Sequence, residues 1–192
     1  TFSKELSIHK IYSTALTQCF KMSKNTLYLY FSLLEDSFFV FSLPKYSASI
    51  RKSDNALRKS YLCDIGFAKL IESSADQGRR MENVVFLELK RRQGPLTGIY
   101  YWKNYPQHEE VDFVVTEGSV QQLIQVCVNL DDPDTKKREI RALLKASTEL
   151  RCHNLLVITE GLEAEEKTGD NNIIYIPLWK WLLKSKYTEG HK

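Results

Sequence analysis

The sequence predicts an α/β protein in which a mixed sheet flanked by helices follows a helix-turn-helix segment with a wing. The first 45 residues show helical spacing of apolar residues and end in a strand. From residue 79 onward the chain reads as helix, three strands, helix and two strands. Gly118-Ser119 is a two-residue turn that joins two of these strands into a hairpin. With 192 residues, 43% of them hydrophobic, the chain can bury a real core in one or two domains.

The N-terminal region, residues 1–45, is predicted to form two helices and a strand. Ser23 has the side chain of a helix N-cap, and the segment SFFVFSL is a strand that Pro44 ends. The second helix places four apolar residues on one face, namely Leu27, Tyr30, Phe31 and Leu34. Two helices joined by a short turn and followed by a strand indicate a helix-turn-helix with a wing.

This region also contains a candidate nucleic-acid surface. A helix-turn-helix would bring the start of its second helix to DNA, at Lys24, Asn25, Thr26 and Tyr28. Residues 46–60 are predicted to be a basic linker whose cations contact phosphates, at Arg51, Lys52, Arg58 and Lys59. A second interpretation is that the helices are a packing platform and the linker is a solvated loop.

The third region, residues 61–192, contains the clearest pattern. Helix 79–92 places one face toward the core, with Glu82, Val85, Phe86 and Leu89. A later helix has Asp132 as its N-cap and Pro133 in its first helical position. The strands NLLVIT and NIIYIP follow, and PLWKWLL is a closing helix. Its Trp179 and Trp181 complete the core or form an interface.

The hairpin EEVDFVVTEGSVQQLIQVCVNL places polar groups on strands that otherwise alternate with valine and isoleucine. Counting outward from Gly118-Ser119, Asp112 lies opposite Gln125, with Cβ atoms about 5 Å apart. Glu110 and Cys127 lie on the same face, one step further along. If this face is buried, its polar groups need pairing or a metal ion. If it is exposed, they are simply solvated.

These segments together resemble a known family. The blocks GRRMENVVFLELKRR, IYYW, EVDFVV, LIQVCVNL, TKKREIRALLKA, LLVITEG and IIYIPLWKWLL resemble those of prokaryotic, especially archaeal, P-loop ATPases. The C-terminal domain of these ATPases is similar to the restriction-endonuclease fold of the PD-(D/E)xK nuclease superfamily. The segment KNTLYLYFSLLEDSFFVFSLPKYS resembles the helix-turn-helix that precedes that domain. The resemblance covers roughly residues 15–183.

The resemblance implies roles for particular residues. Glu82 corresponds to the helix glutamate, Asp112 to the strand aspartate, and Gln125-Val126-Cys127 to the (D/E)xK tripeptide. It implies that Glu82, Asp112 and Gln125 hold Mg²⁺ or Mn²⁺, and that Asp112, Gln125 and Cys127 take the catalytic positions. In active relatives the metal activates a water molecule and the lysine orients it.

Two of these positions depart from the superfamily pattern. Gln125 is a weaker ligand for a hard cation than a carboxylate, and Cys127 lacks the charge of a lysine. Lys136 or Lys137 could replace that lysine only by reaching in from the following helix. We therefore expect a nucleic-acid-binding or assembly module with a nuclease-like fold and a degraded motif. The alternatives are an active Mg²⁺- or Mn²⁺-dependent DNA endonuclease with a variant site, and a domain for protein interaction only.

ATP hydrolysis by a P-loop is excluded for this sequence, because no glycine is followed by Lys-Ser or Lys-Thr. Residue 1 is Thr, so we expect a portion of a longer ATPase or a relative that has lost the ATPase domain. The expected partners are DNA, a P-loop ATPase domain or a second copy of the chain.

The net charge of +3 does not by itself indicate nucleic acid, so any basic patch must be local. Four dispersed cysteines without a C-x-x-C pair are typical of free thiols in a reducing cytoplasm. The sequence contains neither a signal peptide pattern nor an apolar run of about 18 residues, so no membrane association is expected.

Overall fold

The computed structural model describes residues 2–47, 57–68 and 76–184. The N-terminal part contains β1 (Lys4–Leu6), α1 (Ile8–Thr17), α2 (Lys24–Asp36), β2 (Val40–Leu43), β3 (Arg58–Leu62) and a short 3-10 helix (Ile65–Phe67). The C-terminal part begins with α3 (Gln77–Arg92), β4 (Thr97–Asn104), β5 (Glu109–Glu117) and β6 (Ser119–Cys127). It continues with α4 (Pro133–Leu150), β7 (Asn154–Thr159), β8 (Ala164–Thr168), β9 (Asn171–Pro177) and α5 (Leu178–Leu183).

The N-terminal part is a three-stranded antiparallel sheet, in the order β1-β3-β2, with two helices. The side chain of Ser7 caps α1 and that of Ser23 caps α2, which confirms the predicted N-cap. Strand β3 lies in the middle of the sheet, although residues 46–60 were expected to be a linker. Lys59 and Ser60 pair with both neighbouring strands and Arg58 pairs with β1, so the linker prediction is wrong for these residues. Arg51 and Lys52 lie outside the described residues.

Helices α1 and α2 contact each other and leave much apolar surface in solvent. Neither helix has a buried residue. On the predicted apolar face of α2, Leu27 and Phe31 are half-buried, whereas Tyr30 and Leu34 are exposed. The helical spacing is therefore confirmed, but this face of α2 is only partly covered.

The C-terminal part is the predicted mixed sheet flanked by helices. Its six strands lie in the order β4-β5-β6-β7-β9-β8. β6, β7 and β9 are parallel to one another, and the remaining pairs are antiparallel. Asp132 caps α4 and Pro133 begins it, as predicted. β1 and β8 were not predicted, and β8 has the charged sequence AEEKT.

Two apolar clusters fill the space on the two sides of this sheet. One contains Val85, Phe86 and Leu89 of α3 with Phe113 and Ile124 of the sheet. It includes Trp181, which is buried, whereas Trp179 is 60% exposed. The other cluster places Ile140, Leu143 and Ala146 of α4 against Val114, Leu123 and Val157. α3 and α4 therefore cover opposite faces of the sheet.

The N-terminal sheet is joined to the edge strand β4 by main-chain and side-chain contacts. Tyr46 N–H donates to the Tyr101 carbonyl at 2.7 Å, and Tyr101 N–H donates to the Pro44 carbonyl at 3.1 Å. The carboxylate of Glu5 in β1 accepts hydrogen bonds from Tyr101, Lys103 and Tyr105. These contacts fix β3 beside the first two strands of the larger sheet.

A bulge in β5 decides which way its polar residues point. Tyr100 pairs with Val114 and Trp102 pairs with Val111, so Asp112 and Phe113 together oppose Tyr101. Val111 and Val114 consequently lie on the α4 side, and Phe113 lies on the α3 side. The β5–β6 register agrees with the prediction from Phe113↔Ile124 to Val115↔Gln122, and a second irregularity follows nearer the turn.

Candidate functional site

A buried lysine surrounded by carboxylates forms the centre of the candidate site. The Nζ atom of Lys59 in β3 lies 2.9 Å from Glu82, 2.6 Å from Glu110 and 3.1 Å from Asp112. Glu82 comes from the first turns of α3, and the other two carboxylates come from β5. Only 2% of the Lys59 side chain is exposed. Three elements that are distant in the sequence thus meet at one ammonium group.

Neighbouring groups hold this cluster in place. The hydroxyl of Tyr61 donates to Glu82 Oε1 at 2.7 Å, and the Tyr61 ring stacks on Phe86. Asp112 Oδ2 accepts the N–H of Val126 at 3.0 Å. Glu110 also pairs with Lys103 of β4. The carboxylates are therefore oriented by both sheets and by α3.

The cluster contains more negative than positive charge, and this shifts the pKa of its members. Burial would lower the pKa of Lys59, but Glu82, Asp112 and Glu110 outweigh it and raise the pKa well above its usual value. Burial, together with the charges of Glu82 and Glu110, raises the pKa of Asp112 to about 8 despite the nearby Lys59. Burial and the excess negative charge therefore both favour the protonated form of Asp112.

Gln125 and Cys127 do not join the carboxylates, contrary to the expectation that all four hairpin residues share one face. The Gln125 amide donates to Glu139 of α4 at 2.6 Å, and its oxygen accepts the N–H of Asp112 at 3.3 Å. Cys127 is packed in the α4-side cluster. The bulge in β5 is the reason, because it turns Asp112 to the α3 side while Gln125 and Cys127 keep to the α4 side.

Cys127 also lacks the properties of a lysine replacement. Its thiol contacts the carbonyl of Asn129 at 3.2 Å, and burial raises its pKa to about 11. Lys136 pairs with Glu166 at 2.7 Å instead of approaching Asp112. The lysine that reaches Asp112 is Lys59, which the sequence reading had assigned to phosphate contacts. Its burial makes that assignment wrong.

The remaining residues predicted to contact nucleic acid lie at the surface. Lys24 and Asn25 are exposed at the start of α2, and Thr26 is half-buried beside Ser23. Arg58 is exposed at the start of β3. The structure thus presents Lys24, Asn25 and Arg58 to solvent, and their contact with DNA stays a prediction.

The residues expected to hold Mg²⁺ or Mn²⁺ do not fit a metal ion in this arrangement. Glu82 and Asp112 direct oxygen atoms at the ammonium of Lys59, and the Gln125 oxygen accepts a backbone N–H. Within the described ranges, no group of three or more His, Cys, Asp or Glu side chains is arranged to hold a metal ion. A divalent cation would have to displace Lys59.

A cleft of about 470 Å³ opens beside the cluster. Glu82, Asp112 and Gln125 lie along its lining. The lining also includes cations from both helices, with Arg79 on α3 and Arg138 and Arg141 on α4. The cleft therefore combines a majority of carboxylates with a smaller number of cations.

The fold and site define a mixed-sheet α/β protein whose carboxylate cluster surrounds a lysine from a second sheet. The chain belongs to the DUF4143 family, a domain of unknown function that matches residues 77–181. Residues 3–77 match a second domain of unknown function, DUF8612. DUF4143 domains are found in proteins associated with AAA-ATPases. The junction at residue 77 places β3 and Lys59 in the N-terminal domain.

A relative extends this similarity over nearly the whole chain. The uncharacterized protein MJ1544 of Methanocaldococcus jannaschii is 34% identical over 189 residues, which are 95% of this chain and 42% of that protein. The chain thus spans less than half the length of this relative. No solved structure matches the chain. Among the described helices, none has the length and apolar character needed to span a bilayer.

Replacing Lys59 by methionine should destabilise the protein strongly. The substitution leaves two buried carboxylates, Glu82 and Asp112, and the half-buried Glu110 without their shared cation, and breaking a buried ion pair in this way costs about 3–5 kcal/mol. Urea unfolding of Lys59→Met beside the wild-type protein measures the loss. Lys167→Met, at an exposed lysine of β8, serves as the control and should change stability little. Equal stability of Lys59→Met and the wild type would contradict the description of the cluster.

The raised pKa of Asp112 predicts the sign of a pH effect on stability. Between its unfolded value of 3.8 and about 8, the folded protein binds the proton more tightly than the unfolded chain. The contribution of Asp112 to the free energy of unfolding is therefore lost as the pH rises through this window.

Asp112→Asn should remove this contribution, because the amide has no proton to lose. Urea unfolding at several pH values between about 5 and 8 should show a shallower decline for Asp112→Asn than for the wild type. Asp170→Asn, at an exposed aspartate, should keep the wild-type slope. A wild-type slope in Asp112→Asn would show that another group binds the proton.

Proposed function

We propose that the protein is a nucleic-acid-binding module that retains a nuclease-like core and does not cleave its ligand. The observation that carries this proposal is the position of Lys59, whose ammonium lies 2.6–3.1 Å from all three carboxylates of the cluster. Hydrolysis of a phosphodiester by the superfamily mechanism needs a divalent cation at such carboxylates. Here a side chain of the protein supplies the positive charge.

The contacts of Gln125 and Cys127, the two positions that depart from the superfamily pattern, support the absence of cleavage. Gln125 is neutral, and both ends of its amide are engaged by Glu139 and by the Asp112 backbone. Cys127 is a buried, neutral thiol. Neither residue can orient or activate a water molecule beside Asp112 without breaking these contacts.

Nucleic acid as the ligand is supported by the cleft and by the resemblance of the fold. The cations that line the cleft, Arg79, Arg138 and Arg141, are suited to phosphate groups. The N-terminal order of strand, helix, helix, strand and strand is compatible with the predicted helix-turn-helix and wing. By the same proposal, the module acts beside a P-loop ATPase domain in the reducing cytoplasm, where its four free thiols stay unpaired.

The proposal predicts binding without cleavage. The wild-type protein should shift fluorescence-labelled duplex or branched DNA at low salt, and binding should weaken as salt rises. Supercoiled plasmid should stay intact with Mg²⁺ or Mn²⁺, in both the wild type and Asp112→Ala. Cleavage by the wild type that disappears in Asp112→Ala would overturn the proposal in favour of a metal-dependent endonuclease. Absence of any DNA binding would overturn it as well.

A second candidate function is assembly with another protein, and the apolar surface of α1 and α2 favours it. Leu29, Tyr30 and Leu33 of α2 are each more than half exposed, and Phe20 beyond α1 is 58% exposed. Large apolar side chains exposed close together on one helix typically mark a protein contact. A second copy of the chain is the partner that can be tested directly.

Self-association through this surface predicts a particle heavier than the 22.3 kDa chain at high protein concentration. Light scattering coupled to size exclusion measures this mass. Leu33→Glu places a charge on the surface and should return the protein to the monomer mass, whereas Lys10→Glu on the polar side of α1 should not. Monomers at all concentrations in the wild type would contradict assembly by self-association.

A further inference from the structure

The outer face of α4 carries a row of basic side chains that the carboxylate site does not use. Its members are Lys137, Arg138, Arg141 and Lys145. At 3.6 residues per turn they fall within an arc of about 100° and span about 12 Å of the helix axis. The opposite side of α4 is buried against the sheet through Ile140, Leu143 and Ala146. The basic row therefore faces away from the core.

The exposed fractions of these side chains agree with this placement. The side chain of Arg138 is 64% exposed, that of Arg141 is 60% exposed and that of Lys145 is 39% exposed. Lys137 is exposed as well. The row is therefore accessible from solvent.

Two carboxylates beside the row fix it without neutralising it. Glu109 is 6% exposed and pairs with Arg141 at 2.9 Å and Lys145 at 2.8 Å. Glu139 pairs with Arg138 at 2.7 Å. Asp134, exposed in the first turn of α4, falls in the same arc, so four cations against three carboxylates leave one positive charge along this side of α4. The pairing to buried Glu109 anchors two of the long side chains near the protein surface.

The row also runs to the cleft. Arg138 and Arg141 belong to the row and also line the cleft, and Glu139 between them contacts Gln125 of the same lining. A polyanion lying along the row would therefore pass the opening beside the carboxylate cluster. Lys24 and Arg58, the surface cations of the N-terminal part, are not among the residues that line this cleft.

We propose that the outer face of α4 binds the phosphodiester backbone of nucleic acid and directs it across the cleft. Phosphates follow one another at about 3.4 Å of axis per strand, so a row of about 12 Å can contact three or four of them. A row of like cations along one helix matches the evenly repeated negative charge of a nucleic-acid backbone. This inference rests on the proposed nucleic-acid-binding function and names the surface that performs it.

The test compares two double variants that each remove two exposed cations. Lys137→Gln/Arg138→Gln alters the α4 row at positions that do not contact buried Glu109, so folding should be preserved. Lys10→Gln/Lys167→Gln, at two exposed lysines of α1 and β8 that are not among the predicted nucleic-acid contacts, is the matched control. Fluorescence anisotropy with a labelled DNA duplex measures affinity at several salt concentrations, and thermal melting checks that both variants are folded.

The α4 variant should bind on the order of 10- to 60-fold more weakly at about 0.1 M salt, because two phosphate contacts are lost. The slope of log affinity against log salt should be shallower by about two. The control variant should keep the wild-type affinity. Arg141→Gln, measured alone, should weaken binding less than the α4 double variant does.

The possible results separate the assignment of the α4 surface from the nucleic-acid-binding function. Wild-type affinity in the α4 variant would overturn the assignment of this surface and leave the binding function standing. Equal weakening in the two double variants would overturn it too, because charge anywhere on the protein would then suffice. A wild-type protein that does not bind the duplex at low salt would overturn the binding function and this inference together.

Discussion

The ion cluster around Lys59 is the interaction on which the arrangement of the two sheets depends. A lysine this deeply buried is tolerated only because Glu82, Glu110 and Asp112 surround its ammonium. Those carboxylates are in turn tolerated in the interior because β3 brings the cation to them. The position of β3 therefore determines the charge environment of the carboxylates on α3 and β5. A site formed in this way cannot be described from the C-terminal domain alone.

The sequence predicted elements well where a local signal decides the structure. The helix caps at Ser23 and Asp132 are contacts within a few residues, and the apolar face of helix 79–92 follows from its own spacing. β3 and β8 were missed because their charged residues have low strand propensity. Their structure comes from pairing with distant strands, as for Ser60 with Lys4 and Ser42.

The candidate site was only partly predictable, for two physical reasons. The hairpin register was correct at Phe113 and Ile124, so Asp112 and Gln125 lie close together as expected. The bulge opposite Tyr101 then turns Asp112 away from the side of Cys127, and no residue type in EVDFVV signals that bulge. The burial of Lys59 was not predicted, because a run of basic residues suggests a solvent-exposed segment. Lys59 lies two residues before Tyr61, in a segment that ends with Tyr61 and Leu62. Because alternate residues of a strand share a face, this spacing was the signal in the sequence that Lys59 could be buried beside Tyr61.

The edges of the larger sheet limit the ways in which another chain can attach to this protein. β8, at one edge, exposes Glu165 and Lys167, and charged side chains on an edge strand discourage pairing with a foreign strand. β4, at the other edge, already exchanges main-chain hydrogen bonds with Pro44 and Tyr46. Growth of the sheet by added strands is thus disfavoured on both sides. We therefore expect another chain to bind at helix faces and clefts, where side chains rather than backbone amides determine which partner is bound.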